Sequence, residues 1–575
     1  MKRFAHSARN ALLLAMPALA LSVSPACGDA GKLGDQPASS DAIKAPPVFA
    51  PGEVPNGAGN TPATPNDQAA RPEVERETSY RAPVVTGKYV WSANPSSGRV
   101  AIIDAESYEI RAAEAGRKPT FVAALSEQPP RALVINTGGD DASLLELQAS
   151  GEIASTRLPL HQGADSWSVA PGGHFAIAWT DSSKATKPDP TDGFQDITVI
   201  ELPDGKAPVA TRLTVGYRPT AFAFDAAGSH AFGITQDGIS VVDLTPGAVR
   251  LSRLVSLPSS SRTQPDVSVT PDGSRALARL EGSSSLYDID LSSGELREIE
   301  LGGNLTDLDL SEDGSRAVAV VQRLKATDAP DAGVPEPLAD AGDAGTGDAG
   351  SSEPPASSTS QAVFIPIPAG LGDAAARQTL EVPKETFRSV ALSSDGARAV
   401  LFTTARPTAR VTLVGPAAGG TGLETRSLDL IAAVRAVFLT ADGSSAIALQ
   451  DPPAGSQKKG AFSVLSLASV RAPKLVASDA PALAVALSSS NAERALVTVS
   501  DAKASFGVFL VRTPNLQVDF NSLSSEPLAS GTVPGAQKGF VAQEHPEGRI
   551  TFIDLNDGGE REITGFELSS KVVNE

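Results

Sequence analysis

The chain repeats one short pattern, and its clearest copy is Val267-Ser268-Val269-Thr270-Pro271-Asp272-Gly273-Ser274-Arg275-Ala276-Leu277-Ala278. Apolar residues alternate on both sides of Pro271-Asp272-Gly273, which predicts two short strands joined by a tight turn. Asp suits this turn because its carboxylate accepts hydrogen bonds from nearby amides, and Gly suits it because it tolerates positive φ. Further clear copies begin at Leu308, Val390 and Val437, and weaker copies begin near Phe121, Trp167, Ala221, Leu483 and Ala529.

A second hairpin follows each first one. Its leading strand ends in an acidic residue at Ile103-Asp104, Val242-Asp243, Ile289-Asp290 and Ile553-Asp554. Four antiparallel strands in each unit of roughly 40–50 residues are typical of β-propeller blades. We therefore predict an all-β protein, a β-propeller of seven to ten four-stranded antiparallel blades, in one ring or in two smaller ones.

Ten repeat-like units can be counted. Nine of them start near residues 119, 166, 218, 264, 304, 386, 434, 482 and 527. Residues 81–116 form a tenth set, interpreted as a blade with or without its own first strand. A ring must also be closed, because its end blades otherwise leave open edges. Pairing of the strands near 81–92 with the unit at 527–570 is the predicted closure.

These units resemble the YVTN and TolB-type (PD40) propeller repeats. The opening Lys88-Tyr89-Val90-Trp91-Ser92-Ala93-Asn94, followed by Val100-Ala101-Ile102-Ile103-Asp104, is similar to the YVTN repeat itself. The units do not repeat the Trp-Asp and Gly-His pairs of WD40 repeats. The resemblance spans Arg81–Leu568 and implies a propeller fold, without implying an activity.

Two connections are longer than the others, Asp181–Gln195 and the low-complexity insertion 323–360. Both fall between the second and third strands of their units. Because adjacent strands are antiparallel, both emerge on the same face of the ring as the fourth-to-first connections. Acidic low-complexity tracts usually stay solvated. The alternative is a calcium or partner contact by clustered Asp carboxylates, although neither insertion matches the D-x-[DN]-x-[DN]-G spacing of calcium loops.

The N-terminus has the order of a secretory signal. Basic Lys2 and Arg3 precede the apolar run Ala11–Val23, and small residues lead to Cys27, the single cysteine of the chain. The stretch resembles bacterial lipoprotein signals, which implies a signal peptide over residues 1–26 and lipid attachment at Cys27. The alternatives are ordinary cleavage at Ala20 or Ala26, or an incidental thiol.

The resemblance also implies a location. Gly28 follows Cys27, whereas Asp in that place holds many such lipoproteins at the inner membrane. We therefore expect an outer-membrane anchor, facing the periplasm or the cell surface. Residues 27–80 are rich in Pro, Ala, Asn, Asp and Gly, which predicts a disordered linker with a reach of about 40 Å. The propeller is assigned to 81–575.

Composition excludes several classes of function. The formal net charge is −19, so the chain is a poor polyanion binder and nucleic acid is not an expected partner. No later segment approaches the ~20 apolar residues of a membrane span, so we expect membrane attachment through the lipid alone. Met1 and Met16 are the two methionines, and one thiol cannot form internal disulfides, cysteine zinc sites or iron–sulfur clusters.

The sequence suggests no catalytic, cofactor-binding or metal-binding residues. His174 and His230 share a register just after the first turn, so a metal pair is conceivable, but Arg or Ser at the same place elsewhere indicates a solvated turn. His545 lies in a predicted turn, and His161 lies between units. The repeated Asp104, Asp243, Asp290 and Asp554, with Glu201 at the matching place, are interpreted as stabilising turns.

We therefore expect a non-catalytic binding or scaffolding module of the cell envelope, with a protein, peptide or glycan as ligand. The insertion-bearing rim or the channel mouth is the expected binding surface. One alternative is a propeller enzyme, such as a lactonase or a glycan-active hydrolase or lyase, that uses channel carboxylates with or without calcium. A purely structural surface protein is the other. Histidines and acids converging in the channel favour an enzyme, whereas a largely apolar or neutral channel with a conspicuous surface patch favours binding.

Overall fold

The structure is a computed structural model that describes residues 83–95, 97–181, 194–258, 265–280, 282–324, 358–383, 385–417, 422–489, 493–545, 548–566 and 572–574. The predicted signal peptide (1–26), the linker 27–80 with Cys27, and residues 325–357 of the long insertion lie outside the described residues. No helix in the described ranges is both long and apolar enough to cross a membrane.

The described strands form ten antiparallel sheets of consecutive strands, nine with four strands and one with five. Blade 1 contains β1 Val84–Thr86, β2 Tyr89–Asn94, β3 Arg99–Asp104 and β4 Ile110–Glu114, and blade 2 contains β5 Pro119–Glu127, β6 Pro130–Asn136, β7 Asp141–Leu147 and β8 Ile153–Pro159. Blade 3 contains β9 Ser166–Val169, β10 Phe175–Trp179, β11 Asp196–Glu201 and β12 Val209–Thr214, and blade 4 contains β13 Ala221–Phe224, β14 His230–Thr235, β15 Gly238–Asp243 and β16 Arg250–Ser256. Blade 5 contains β17 Asp266–Val269, β18 Arg275–Arg279, β19 Ser285–Asp290 and β20 Leu296–Glu300.

Blade 6 contains β21 Asn304–Leu310, β22 Arg316–Leu324, β23 Ser358–Pro366 and β24 Gln378–Glu381, and blade 7 contains β25 Ser389–Leu392, β26 Ala399–Phe402, β27 Arg410–Pro416 and β28 Leu423–Asp429. Blade 8 contains β29 Val434–Leu439, β30 Ser445–Gln450, β31 Gly460–Ser466 and β32 Lys474–Ser478, and blade 9 contains β33 Ala482–Leu487, β34 Arg494–Ser500, β35 Phe506–Arg512 and β36 Gln517–Ser522. Blade 10 contains β37 Pro527–Val533, β38 Lys538–Gln543, β39 Arg549–Asp554 and β40 Glu560–Thr564. A fifth strand, β41 Val572–Asn574, pairs with the outer edge of β40. The described residues also include a short helix, α1 Ala369–Gly372, and the 3₁₀ turns Ala374–Ala376 and Pro534–Ala536.

The first turn of each clear repeat has the predicted chemistry. In blade 5 the Thr270 hydroxyl donates to Asp272 at 2.6 Å, and Asp272 accepts the Ser274 amide at 3.1 Å. Gly273 has φ +67°, which a residue with a side chain adopts only with strain. The same Ser or Thr to Asp hydrogen bond recurs in blades 6, 7 and 8. The repeat is therefore a local turn that joins the first two strands of a blade.

The ten blades form one closed ring. Ten apolar clusters fill the interfaces, and each cluster contains buried residues of two consecutive blades. One of these clusters joins blade 10 to blade 1, with Phe540 and Phe552 packed against Val90 and Ile103. The count of ten is the upper end of the predicted range, and the predicted unit starts fall within three residues of the first strands β5, β9, β13, β17, β21, β25, β29, β33 and β37.

The closure differs from the expected strand pairing. Blade 1 has its own first strand, β1, and no strand of blade 1 enters the sheet of blade 10 in the described residues. The two blades instead pack face to face, and Lys538 Nζ donates to the Ala105 carbonyl at 2.7 Å and the Tyr108 hydroxyl at 2.6 Å. One backbone hydrogen bond, from Gly535 N to Gly87 O at 3.2 Å, adds to this contact. Face packing closes the ring because every blade already has all four strands.

Strand direction divides the ring into two faces. The first-to-second and third-to-fourth turns lie on what we call the turn face. The second-to-third and fourth-to-first connections lie on the opposite, insertion face. The insertions follow β10 and β22 and precede β11 and β23, so both leave from the insertion face as predicted. Strands β22 and β23 stay paired as far as Leu324 and Ser358, which places the insertion proper at 325–357.

Candidate binding surface

The first strands of the blades form the inner wall of the ring. Their neighbours contact one another directly: Trp167 Nε1 donates to the Phe121 carbonyl at 3.2 Å, and Thr532 Oγ1 donates to the Leu487 carbonyl at 3.4 Å. The fourth strands, at the other edge of each sheet, are mostly exposed. Second and third strands are almost fully buried. The first strands are therefore the innermost strands, and their half-buried apolar side chains also pack against the clusters between blades.

Most of the half-buried side chains on this inner wall are apolar. Representative members are Phe121, Leu125, Trp167, Val437, Phe438 and Leu487. No histidine lies on a first strand among the described residues. The half-buried part of the inner wall is therefore mainly apolar.

Four titratable side chains of the inner wall have partners inside the protein. Asp266 pairs with Arg279 at 2.9 Å, and Arg435 Nη2 donates to the Ala482 carbonyl at 2.5 Å. Asp307 and Asp309, two residues apart on β21, accept backbone amides of the neighbouring strand β25. These carboxylates link blades 6 and 7. Their oxygens are occupied by structural hydrogen bonds, which does not suit a pair of acid–base catalysts.

The predicted role of the acids that end the third strands is confirmed. Asp104, Asp243, Asp290 and Asp554 each accept backbone amides of the turn that follows. Hydrogen bonds from Ser292 and Ser293 lower the pKa of Asp290 to about 2. Glu201 differs, because its Oε2 accepts the Gly247 amide of the next blade at 2.9 Å.

His174 and His230 line one groove on the turn face, between blades 3 and 4, with a cavity of about 490 Å³. His230 Nδ1 lies 2.9 Å from Asp225 Oδ2. Asp225 is buried and occupies the position that Thr270 has in blade 5. Burial raises the pKa of Asp225, but hydrogen bonds from Ser229 and His230 lower it by more, so the net effect is a lowered pKa. In the described ranges no three His, Cys, Asp or Glu side chains are grouped to hold a metal ion. Both imidazoles are exposed, as predicted for a turn.

His161 has partners that the sequence did not reveal. Its ring is 3 % exposed, and its Nδ1 lies 2.9 Å from Thr198 Oγ1 of β11. Burial lowers the pKa of His161 to about 4. His545 lies between β38 and β39, and the Gly548 amide donates to its carbonyl at 3.1 Å, as a turn requires.

The buried His161 predicts a pH dependence of stability. The pKa of His161 in the folded protein lies below its ordinary value of 6.5. As the pH drops from 6.5 towards 4, the imidazole is therefore protonated in the unfolded chain but not in the folded one, and the free energy of unfolding falls. His161→Gln should remove this acid-induced loss of stability, which is on the order of 3 kcal/mol. We expect the difference in melting temperature between wild type and His161→Gln to shrink on acidification. A constant difference from pH 7 to pH 4 contradicts a neutral buried imidazole.

Comparisons with known proteins bear on the fold. No family model matches the chain, and no curated protein matches it, so membership of the YVTN or TolB-type families stays a prediction. Among solved structures, hydrazine synthase of Kuenenia stuttgartiensis is 17% identical, with 56% of this chain and 89% of that chain covered and a TM-score of 0.31. Dihydro-heme d1 dehydrogenase NirN is 12% identical, with 68% and 72% covered and a TM-score of 0.39.

The β-propeller domain of Myceliophteria thermophila Cps50 (Swd1) is also 12% identical, with 60% of this chain and 95% of that chain covered and a TM-score of 0.29. These structures include enzymes and a propeller domain that is not named as an enzyme. Likeness at this level shows no activity, ligand or partner for this chain.

Proposed function

We propose that the protein is a non-catalytic binding module of the bacterial cell envelope, a propeller whose inner wall contacts a protein or peptide. The observation that supports this most is the character of the inner wall. Its half-buried side chains are mainly apolar, and Asp266, Asp307, Asp309 and Arg435 are engaged in structural contacts. Apolar side chains of a polypeptide fit such a wall better than the hydroxyl groups of a glycan.

The proposed location rests on the N-terminal sequence. A signal over residues 1–26 and lipid attachment at Cys27 place the ring on a linker at the outer membrane, where the lipid is its membrane contact. The insertion face, with residues 325–357, is the part of the ring that we propose to flank the ligand at the channel mouth.

A charge placed on the inner wall tests the binding role. Ala484 is half-buried on the first strand β33, and Ala477 is half-buried on the fourth strand β32. In capture of partners from envelope extracts with the full-length, membrane-extracted protein, Ala484→Glu should reduce recovery of the specific partner at least tenfold. The control Ala477→Glu should capture it as wild type does. Equal capture by both variants contradicts an inner-wall site.

Deletion of residues 325–357, with Leu324 joined to Ser358 through a short Gly-Ser link, tests the insertion separately. We expect weaker capture of the same partner, because the insertion leaves from the proposed binding face. Unchanged capture assigns the binding to the wall alone and removes the role proposed for the insertion.

The anchor is tested by intact mass. Membrane-extracted wild-type protein should carry an additional lipid mass that Cys27→Ser lacks, and the variant should leave the membrane fraction. Equal masses, after allowance for the substitution, contradict lipidation at Cys27.

A further inference from the structure

The chain enters the ring part-way along the inner wall of blade 1. First strands run from the insertion face to the turn face, and they are the innermost strands. Strand β1 covers β2 from Tyr89 to Trp91, whereas β3 pairs along β2 as far as Asn94, towards the insertion face. The chain that precedes Pro83 therefore reaches blade 1 from the insertion face, at the mouth of the channel.

Strand β37 of blade 10 lies beside this entry point. The Gly535 amide donates to the Gly87 carbonyl at the turn-face ends of the two first strands. Leu528 precedes Gly535 by seven residues and Pro83 precedes Gly87 by four, so Leu528 lies about 10 Å nearer the insertion face than Pro83. Leu528 is 39% exposed, and among the described residues it is the one exposed large apolar side chain on a first strand.

Bulges reshape the inner wall at this mouth. In blades 8, 9 and 10 the register between the first and second strands shifts near the insertion-face end of the first strand. The shifts leave Arg435, Leu483 and Leu528 as the extra residues, and bulges of this kind re-aim side chains. Arg435 donates to the Ala482 carbonyl, so half-buried Leu483 and exposed Leu528, on adjacent blades, form the apolar part of this arc.

The linker contains one segment suited to this surface, and its sequence is Ile43-Lys44-Ala45-Pro46-Pro47-Val48-Phe49-Ala50-Pro51-Gly52-Glu53-Val54. Phe49 is the one aromatic residue between positions 27 and 79, and one cation and one anion leave the segment neutral in an acidic chain. Proline-rich segments form extended helices that bind aromatic-lined surfaces at a low cost in entropy. The inner wall offers the half-buried rings of Phe121, Trp167 and Phe438.

Tethering raises the local concentration of this segment. Residues 55–82 separate it from Pro83, which gives a typical reach of about 30 Å for a flexible linker. A short flexible tether holds its segment at a millimolar effective concentration. The insertion 325–357 also leaves from the insertion face, but it starts farther from the centre, carries an excess of acids and has only Val334 and Leu338 as large apolar residues. The linker segment is therefore the better occupant.

We propose that segment 43–54 folds back onto the insertion-face mouth of the ring, with Phe49 against Leu483 and Leu528, and competes there with the polypeptide partner of the inner wall. The linker thereby keeps the binding surface occupied until a partner displaces it. The competition rests on the proposed function, whereas the contact within the chain is measurable without any partner.

Photo-crosslinking within the full-length, membrane-extracted protein tests the contact. The photo-reactive residue p-benzoylphenylalanine replaces Phe49, and mass spectrometry of the digested monomer locates the adducts, which we expect on β33 and β37. The control places the same residue at Ala69, which is nearer the ring along the chain but lies in a polar stretch. It should give at least fivefold less adduct on these strands. No adduct on β33 or β37 from position 49, or an equal yield from position 69, overturns the proposal.

A matched pair of leucines tests the wall side of the contact. Leu528 lies on the inner strand β37, and Leu475 is 43% exposed on the outer strand β32. Leu528→Glu should lower the adduct yield from position 49 at least fivefold, and Leu475→Glu should leave it unchanged. Melting temperatures establish that both variants fold. Equal yields in the two variants contradict a contact at Leu528.

Competition is measured by capture of the partner from envelope extracts. Phe49→Ser should increase recovery of the partner severalfold, because the wall is then less often occupied by the linker. The control Ala69→Ser should capture as wild type does. Recovery that Phe49→Ser leaves unchanged overturns the competition. If instead the inner-wall variants themselves leave capture unchanged, the proposed function fails, and the adduct from position 49 still decides whether the linker contacts the wall.

Discussion

Phe552→Ala is expected to lower the free energy of unfolding by about 3–5 kcal/mol, because it leaves a cavity in the contact that closes the ring. Phe552 is 1% exposed, and its ring centroid lies 5.6 Å from that of Tyr108 in blade 1. It packs in the cluster that joins blades 10 and 1. Since no strand is shared between these blades, side-chain packing provides most of the closure.

The measurement is urea unfolding, with the denaturation midpoint and slope compared between variants. Phe520→Ala is the matched control, since Phe520 is 55% exposed on the outer strand β36 and should cost no more than about 1 kcal/mol. A loss for Phe552→Ala no larger than that for Phe520→Ala contradicts closure by face packing.

Asp307→Ala should cost about 2–3 kcal/mol, the second largest effect that we expect. The Oδ2 of Asp307 accepts the Val390 amide of blade 7 at 2.7 Å, and its Oδ1 accepts the amide of the next residue, Leu308, at 2.9 Å. Asp307 is 2% exposed, so its removal leaves a buried amide without an acceptor. Thermal and urea unfolding both measure the loss.

Asp309→Ala is the control for this prediction. Asp309 is half-buried and accepts the Leu392 amide at 3.2 Å, so its loss should cost about 1 kcal/mol. Asp307→Asn retains an acceptor and should restore part of the stability. If Asp307→Ala is no less stable than Asp309→Ala, the carboxylate does not hold blades 6 and 7 together.

The repeat was predictable because its interactions are local. Asp272 forms hydrogen bonds with residues two positions away in the chain, and a glycine at position 273 by itself indicates a positive φ. The same locality made the role of Asp290 readable, since the amides that it accepts belong to the next turn. Strand and turn signals thus place nine first strands within three residues.

Contacts between blades could not be read in the same way. Asp307 and Val390 are 83 positions apart, and His161 and Thr198 are 37 positions apart. The short first strand β1 has too few residues for a periodic signal, which left blade 1 open to two interpretations. The register shift between β15 and β16 at Val241 and Val242 is a bulge, and a bulge exists only against the partner strand.

The sequence predicted a ring of blades and drew attention to one rim, but it did not show the character of the inner wall. The inner wall has no motif, because it is assembled from single residues of several repeats. The departure of Asp225 from the Ser or Thr that stands at this place in blades 5 to 8 is one signal in the sequence that marks blade 4.

The central claim is that the inner wall of the ring contacts a polypeptide partner. The most direct measurement places the photo-reactive residue p-benzoylphenylalanine at position 484 on the inner strand β33, or at 477 on the outer strand β32, in the lipid-anchored protein in living cells. After irradiation, position 484 should yield a discrete adduct with another protein, and position 477 should yield none. An adduct from 477, or no adduct from 484 in a correctly folded protein, contradicts the account.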